Sequence, residues 1–196
     1  MSTQTPTSRP ALPRRADARR NRARVLAAAT AVFAERGMGA GVPEIAQRAG
    51  VGKATVYRSF PSKEHLVAAV ACERLEWITD VTTAALLRDD AGAAFGDVVV
   101  AIAEQQATDC AVAGALAADI DLPELHAARA TTQAALESLV DRARATGALR
   151  ADATAEELRV LFTGMSQVLR ADGVRDAATW RRYGQLVAAA LRVPQR

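Results

Sequence analysis

The stretch from Gly37 to Lys63, GMGAGVPEIAQRAGVGKATVYRSFPSK, constrains the fold more than any other part of the chain. It reads as two short helices joined by a tight turn. Pro43 sits just inside the first helix, where a missing N–H costs nothing. Ile45, Ala46 and Ala49 give that helix an apolar side. Gly50 ends it, because glycine enters the left-handed conformation without a Cβ penalty. Val51 plugs the turn, and a second helix starts near Gly52 or Lys53, carrying Val56 and Phe60 inward at i, i+4. Its other face presents Lys53, Thr55, Arg58 and Ser59, with Tyr57 at the edge. Pro61 stops it, and Ser62 caps a third helix from Lys63. The pattern is a helix-turn-helix whose second helix is of the kind that lies in a DNA major groove.

Charge agrees with that placement. Residues 1–63 hold 12 Arg and Lys against 3 Asp and Glu, whereas residues 64–196 hold 13 against 19. Positive charge is therefore concentrated around the reading helix, the footprint expected of a segment facing phosphates. The acidic remainder should face solvent or a partner. Half of the 196 residues are hydrophobic, Ala above all, and no alternating β-branched runs stand out, which favours an all-α chain with a sizeable core. No apolar run reaches bilayer length, and the polar, Arg- and Pro-rich N-terminus predicts no signal peptide. Cys72 and Cys110, far apart, fit a reducing cytoplasm better than a disulfide scaffold.

The run AGVGKATVYRSFPSKEHL resembles the DNA-binding signature of the TetR family of one-component repressors, and the resemblance extends over residues 16 to about 70. Ala49-Gly50-Val51, Thr55, Tyr57, Phe60, Lys63 and Leu66 carry it together. The resemblance implies an N-terminal three-helix reading domain and a C-terminal helical domain for ligand binding and dimerisation. On the reading helix, Lys53 can donate to guanine and Thr55 can offer a hydroxyl and a methyl to a base edge. Ala54 is small enough for close approach, although many relatives have glycine there. Tyr57 and Lys63 match the family's phosphate-contacting positions, and either role is open to Arg58. Gly41 departs from the pattern, since relatives often place Thr or Ser there against phosphate; only its backbone N–H could substitute.

Along the chain, residues 1–13 are expected to be a disordered arm, 14–72 the DNA-binding domain and 73–196 the ligand-binding and dimerisation domain. Arg19 and Arg20, with the other arginines near the arm, suit either a solvated helix start or an arm along the minor groove. The first helix should span Ala16 to Arg36, and the one from Ser62 should run unbroken to about Leu87, joining both domains without a linker. Further helices are expected over 93–107, 110–118, 123–146, 154–172 and 176–193, for about nine in all, with a Thr154-x-x-Glu157 capping box. The stretch from Thr154 to Arg192 also resembles the C-terminal end of a TetR subgroup, many of them actinobacterial, in its Gly-Ala-Leu-Arg turn and Trp-Arg-Arg-Tyr run.

These observations predict a sequence-specific transcriptional regulator, a repressor released from a palindromic operator by a small, mainly hydrophobic effector. The partners expected are duplex DNA, that effector and a second copy of the chain, with no membrane and no cofactor. Candidate ligand walls are Trp77, Phe95, Ile102, Phe162 and Met165, with His126, Arg129 and Asp109 as polar contacts. Inward candidates at a two-fold interface are Leu161, Phe162, Met165, Val168, Trp180, Tyr183 and Val187. The alternative is an effector-independent architectural DNA-binding protein, which gives no reason for so large a second domain. An enzyme is not expected: His65 and His126 lack neighbours at metal-ligand spacing, and no phosphate loop or nucleophile motif is present.

Overall fold

The computed structural model describes residues 12–108, 115 and 119–194. Among these it has eight helices and no strands: α1 (Leu12–Arg36), α2 (Val42–Ala49), α3 (Lys53–Ser59), α4 (Lys63–Ala85), α5 (Ala91–Thr108), α6 (Pro123–Ala145), α7 (Ala155–Ala171) and α8 (Ala177–Leu191). The short helix expected over 110–118 lies outside the described residues apart from Ala115, which is helical and buried. The arm expected over 1–13 lies outside them up to residue 11, and α1 begins one turn earlier than the apolar spacing indicated.

Local chemistry sets the helix ends. Gly50 adopts φ 62°, ψ 39°, and its N–H together with that of Val51 closes the last turn of α2. Ser62 Oγ accepts from the His65 N–H at 3.4 Å, Thr154 Oγ1 from the Glu157 N–H at 3.0 Å, and Asp176 Oδ1 from the Thr179 N–H at 2.8 Å. At α7 the capping box is only half made. The Glu157 carboxylate pairs with Arg150 instead, because Arg150 is brought alongside by the turn that bonds its N–H to Leu191 O.

Two cores result. In the first, Val25, Phe33, Ile45, Val56, Phe60 and Leu66 gather α1, α2, α3 and the first half of α4. Leu125, at the start of α6, is fully buried in the same cluster. In the second, Ile78, Phe95, Val99, Leu139, Leu158 and Leu191 gather the rest of α4 with α5, α6, α7 and α8. α4 therefore runs unbroken through both, and α6 reaches from the second into the first. Two polar ties fasten α6 to α4: Thr132 Oγ1 donates to Leu75 O at 3.1 Å and lies 3.0 Å from Thr79 Oγ1. α5 and α8 pack so closely that a Cβ on Gly184 would sit 2.8 Å from that of Ala103.

Candidate nucleic-acid interface and ligand cavity

α3 buries Val56 inward and leaves Lys53, Ala54, Tyr57 and Arg58 exposed, with Thr55 half-buried between them. At seven residues it is too short to persist alone. It is held from α1. Arg24 Nη2 donates to Ala49 O at 2.7 Å, at the end of α2 just before the turn. Arg22 Nη1 donates to Ser59 O at 2.9 Å, on the last carbonyl of α3, and its guanidinium stacks 4.3 Å over the Phe60 ring. Two arginines of the basic N-terminal segment are thus turned onto backbone carbonyls at the two ends of the reading unit. No periodicity announces this. The partners stand 25 and 37 residues away, and an arginine bound for a carbonyl reads like one bound for a phosphate.

The other basic candidates are distributed as follows. Arg58 folds back along α3, with Nε donating to Ala54 O at 3.2 Å and Nη2 to Thr55 Oγ1 at 3.4 Å. Lys63 Nζ donates to Met38 O at 2.7 Å, tying the start of α4 to the α1–α2 loop. Gly41 caps α2 with extended backbone, and a Cβ there would meet Pro43 Cδ at 3.3 Å. Arg19 is exposed on α1, and Arg20 pairs with Asp17 one turn away.

In the second core a cavity of about 620 Å³ opens between α4, α5, α6 and α7. Its walls are Leu75, Ile78, Val99, Ile102, Leu136, Leu158 and Phe162, with Gln106, Arg129, Gln133 and Arg159 among the polar groups. Of the ligand-wall candidates, Ile102 and Phe162 line it, as does Arg129. Phe95 is fully enclosed in the core, Trp77 is half-buried with the Arg74 guanidinium 4.3 Å over its ring, and Met165 packs between the second core and a satellite around Trp180 and Leu169. His126 is exposed and lies 3.0 Å from the Asp121 carboxylate, away from the cavity. Asp109 lies outside the described residues. The residues missed by periodicity, Leu136 and Leu158 above all, belong to the same apolar stripes as core residues; only the spacing between helices separates wall from core.

A second cleft, about 760 Å³, lies where α1, the α3–α4 corner, α4 and α6 meet. Glu73, Glu76, Asp80 and Glu124 make it acidic, and Cys72 sits in it with Sγ directed at Glu124 O. Burial, then the Glu76 and Glu124 carboxylates, push the Cys72 thiol above its ordinary range. Cys110 lies outside the described residues. No group of three or more potential metal ligands occurs among the described residues, and no helix among them is long and apolar enough to cross a membrane.

The geometry of a short, exposed, basic reading helix on a helical bundle has counterparts. A family model described as bacterial regulatory proteins, tetR family, matches residues 25–70. A second, described as the C-terminal domain of SbtR-like transcriptional regulators, matches residues 90–193. No curated protein matches. Among solved structures, a TetR transcription regulatory protein from Mycobacterium vanbaalenii is 34% identical, with 92% of this chain and 100% of that one covered and a TM-score of 0.65. A TetR transcriptional regulator from Streptomyces coelicolor is 28% identical over 89% of this chain and 99% of that one, with a TM-score of 0.65. The fatty acid degradation regulator FadR from Bacillus halodurans, at 21% identity, 87% and 99% coverage and a TM-score of 0.68, shares the fold. With the reading domain and most of the remaining chain both matched, this chain belongs to the TetR family of DNA-binding transcriptional regulators.

Proposed function

We propose that the chain is a repressor that binds a two-fold symmetric operator as a homodimer and leaves it when a small, mainly apolar molecule enters the 620 Å³ cavity. The observation that carries this reading is the position of the cavity. It lies on α4 and α6, the two helices that also enter the core of the reading unit. A ligand that respaces α4 and α6 must therefore move the frame on which α3 stands. In this reading residues 14–72 form the reading domain, residues 73–196 the effector and dimerisation domain, and α4 belongs to both. Lys53, Thr55 and Ala54 face bases, while Tyr57, Lys63 and the Gly41 turn face phosphates; Arg58, Arg19 and Arg20 stand at the edge of that surface.

Dimerisation has its own support. Val160, Leu161 and Val168 of α7 and Tyr183 and Leu186 of α8 give these two helices exposed apolar surface, and Val168 is 60% accessible. A second copy of the same two helices would cover it as a four-helix interface. Trp180 and Val187 are buried within the monomer instead, the Trp180 indole N–H donating to Val174 O at 3.0 Å.

Selection from random duplexes tests the reading. A two-fold symmetric site with two chains per duplex by sedimentation is expected. Recovery of sequences without symmetry, with random competitor DNA as effective as the selected site, would replace the repressor by an architectural DNA-binding protein. The effector half obeys linkage: a compound that releases the operator must bind free protein more tightly than operator-bound protein, by the same factor.

A further inference from the structure

We propose that Arg58 is a positioning residue that sets sequence preference through Thr55. Its guanidinium occupies the Thr55 hydroxyl oxygen, so the hydroxyl meets the major groove as a donor and selects a base edge that offers an acceptor. The proposal rests on the reading of α3 as the helix that enters the groove. It gives Arg58, which by sequence alone suits either a base or a phosphate, a third role.

Arginine has five N–H donors and no acceptor, whereas a threonine hydroxyl has one proton and two lone pairs. The 3.4 Å contact between Arg58 Nη2 and Thr55 Oγ1 therefore has one possible direction, with Thr55 accepting. A second bond steadies the guanidinium: Arg58 Nε donates to Ala54 O at 3.2 Å, one turn back on the same helix. Two anchors hold a planar fork where a single one would let it swing. Both residues lie on the outward side of α3, Arg58 exposed and Thr55 half-buried. The hydroxyl proton has no acceptor on the guanidinium, and one of the two lone pairs is taken.

Other helical threonines of the chain use their protons differently. Thr30, Thr79, Thr131 and Thr132 each donate to the carbonyl four residues back, at 2.9–3.1 Å. Their protons are taken up inside the helix. Thr55 stands in the first turn of α3, and the residue four back, Val51, precedes the helix. Gly52 O, three back, already accepts the Thr55 N–H at 2.9 Å and the Val56 N–H at 3.3 Å. The Thr55 hydroxyl takes a donor instead, from Arg58, which leaves its proton for a partner outside the chain.

The major groove distinguishes the two polarities of a hydroxyl. Guanine presents the N7 and O6 acceptors, thymine the O4 acceptor, adenine one acceptor and one donor, and cytosine only a donor. A donating hydroxyl finds a partner on the first three and meets the cytosine amino group donor to donor. Lysine in place of Arg58 would keep the charge but lose the fork that reaches Ala54 O and Thr55 Oγ1 together.

The test uses full-length protein and the operator recovered by selection from random duplexes. Thr55→Val removes the hydroxyl at nearly constant shape, and the base pair whose preference it relaxes is the one Thr55 reads. At that pair, duplexes carrying a 7-deazapurine, 6-thioguanine or 4-thiothymine replace the N7, O6 or O4 acceptor by a poor one. One of these replacements is expected to weaken binding by the unsubstituted protein about fivefold or more, and by Thr55→Val less than about twofold. Arg58→Met should cut the preference at the same pair several-fold, leave the salt slope unchanged, and have no further effect in the Thr55→Val background. Arg58→Lys should behave like Arg58→Met. Thermal unfolding of each variant checks that it is folded. The proposal is overturned if no acceptor replacement separates the unsubstituted protein from Thr55→Val, because the hydroxyl then donates to no base. It is equally overturned if Arg58→Met lowers the salt slope, which makes Arg58 a phosphate contact, if its effect adds in full to that of Thr55→Val, or if Arg58→Lys keeps the original preference. A selection that returns no preferred sequence overturns the reading of α3 as a base-reading helix, and the proposal with it.

Discussion

The reading unit and the C-terminal bundle are built from the same kind of helix but are held together differently. In the reading unit, α3 has a single wholly buried side chain, Val56, and owes its position to groups from elsewhere: Phe60 beneath its end, Arg22 on Ser59 O, Arg24 on Ala49 O and Lys63 on the loop before α2. In the bundle, long helices pack along whole apolar faces and still leave a 620 Å³ hollow. Position is fixed tightly where DNA is read, and space is left where a ligand would enter. The difference predicts that equivalent truncations cost far more in the first region than in the second.

The largest effect should come from paired aromatic truncations. Phe60→Ala removes a side chain only 2% exposed, together with the ring under Arg22, and should destabilise the protein by about 3–5 kcal/mol. Phe162→Ala opens a wall that already faces a cavity and should cost about 1 kcal/mol. Urea unfolding of both variants measures the contrast. Equal losses would mean that the cavity wall is packed as firmly as the reading unit.

Next come the side chains proposed to face DNA. Lys53→Ala or Thr55→Ala should weaken specific operator binding by about 1–3 kcal/mol and relax preference at one half-site position. Lys63→Ala should weaken specific and random DNA alike and lower the salt slope by about one unit per half-site. A changed sequence preference with an unchanged slope in Lys63→Ala would make its bond to Met38 O, and no phosphate, its main role.

Arg24 separates support from contact. Arg24→Ala should cost about 1 kcal/mol of stability and lower operator affinity with no change in salt slope, since the guanidinium lies on Ala49 O. Gly50→Ala should act in the same direction for a second reason: its φ of 62° strains any other residue, and a Cβ would stand 2.9 Å from Arg24 Nη2. A lower salt slope in Arg24→Ala would reassign Arg24 to the DNA.

The two regions were also unequally legible in the sequence, for the same physical reason. The turn at Gly50 and the caps at Ser62 and Thr154 depend on neighbours a few residues away, so their chemistry is written locally. The eight described helices follow from 3.6-residue apolar spacing in the same way. Phe95 and Phe162, in contrast, occupy alike stripes, and only the distance between α5, α6 and α7 puts one in the core and the other on the cavity. The turning of Arg22 and Arg24 onto the ends of the reading unit is likewise a long-range event. Glu157 lies between the cases: the backbone half of its capping box is local and forms, while its carboxylate answers to Arg150 across a tertiary turn.

The smallest effect is expected at the border of the two regions. Cys72 lies on α4 in the acidic cleft, its thiol 3.8 Å from Glu124 O at the start of α6. The thiolate is the reactive form, and burial with Glu76 and Glu124 raises the thiol above its ordinary range, so the thiolate fraction near neutral pH falls below that of a free cysteine. Alkylation of Cys72, followed by mass spectrometry of its peptide, should therefore be slower than that of a free cysteine at the same pH. Cys72→Ser should cost no more than about 1 kcal/mol, and hydrogen peroxide should leave operator binding by the unsubstituted protein and by Cys72→Ser equally unaffected. Loss of operator on oxidation in the unsubstituted protein alone would turn this border into a switch. The contact between α4 and α6 at Cys72 would then control α3 more directly than the cavity does, and the division between a tightly held reader and a roomy bundle would need a third element between them.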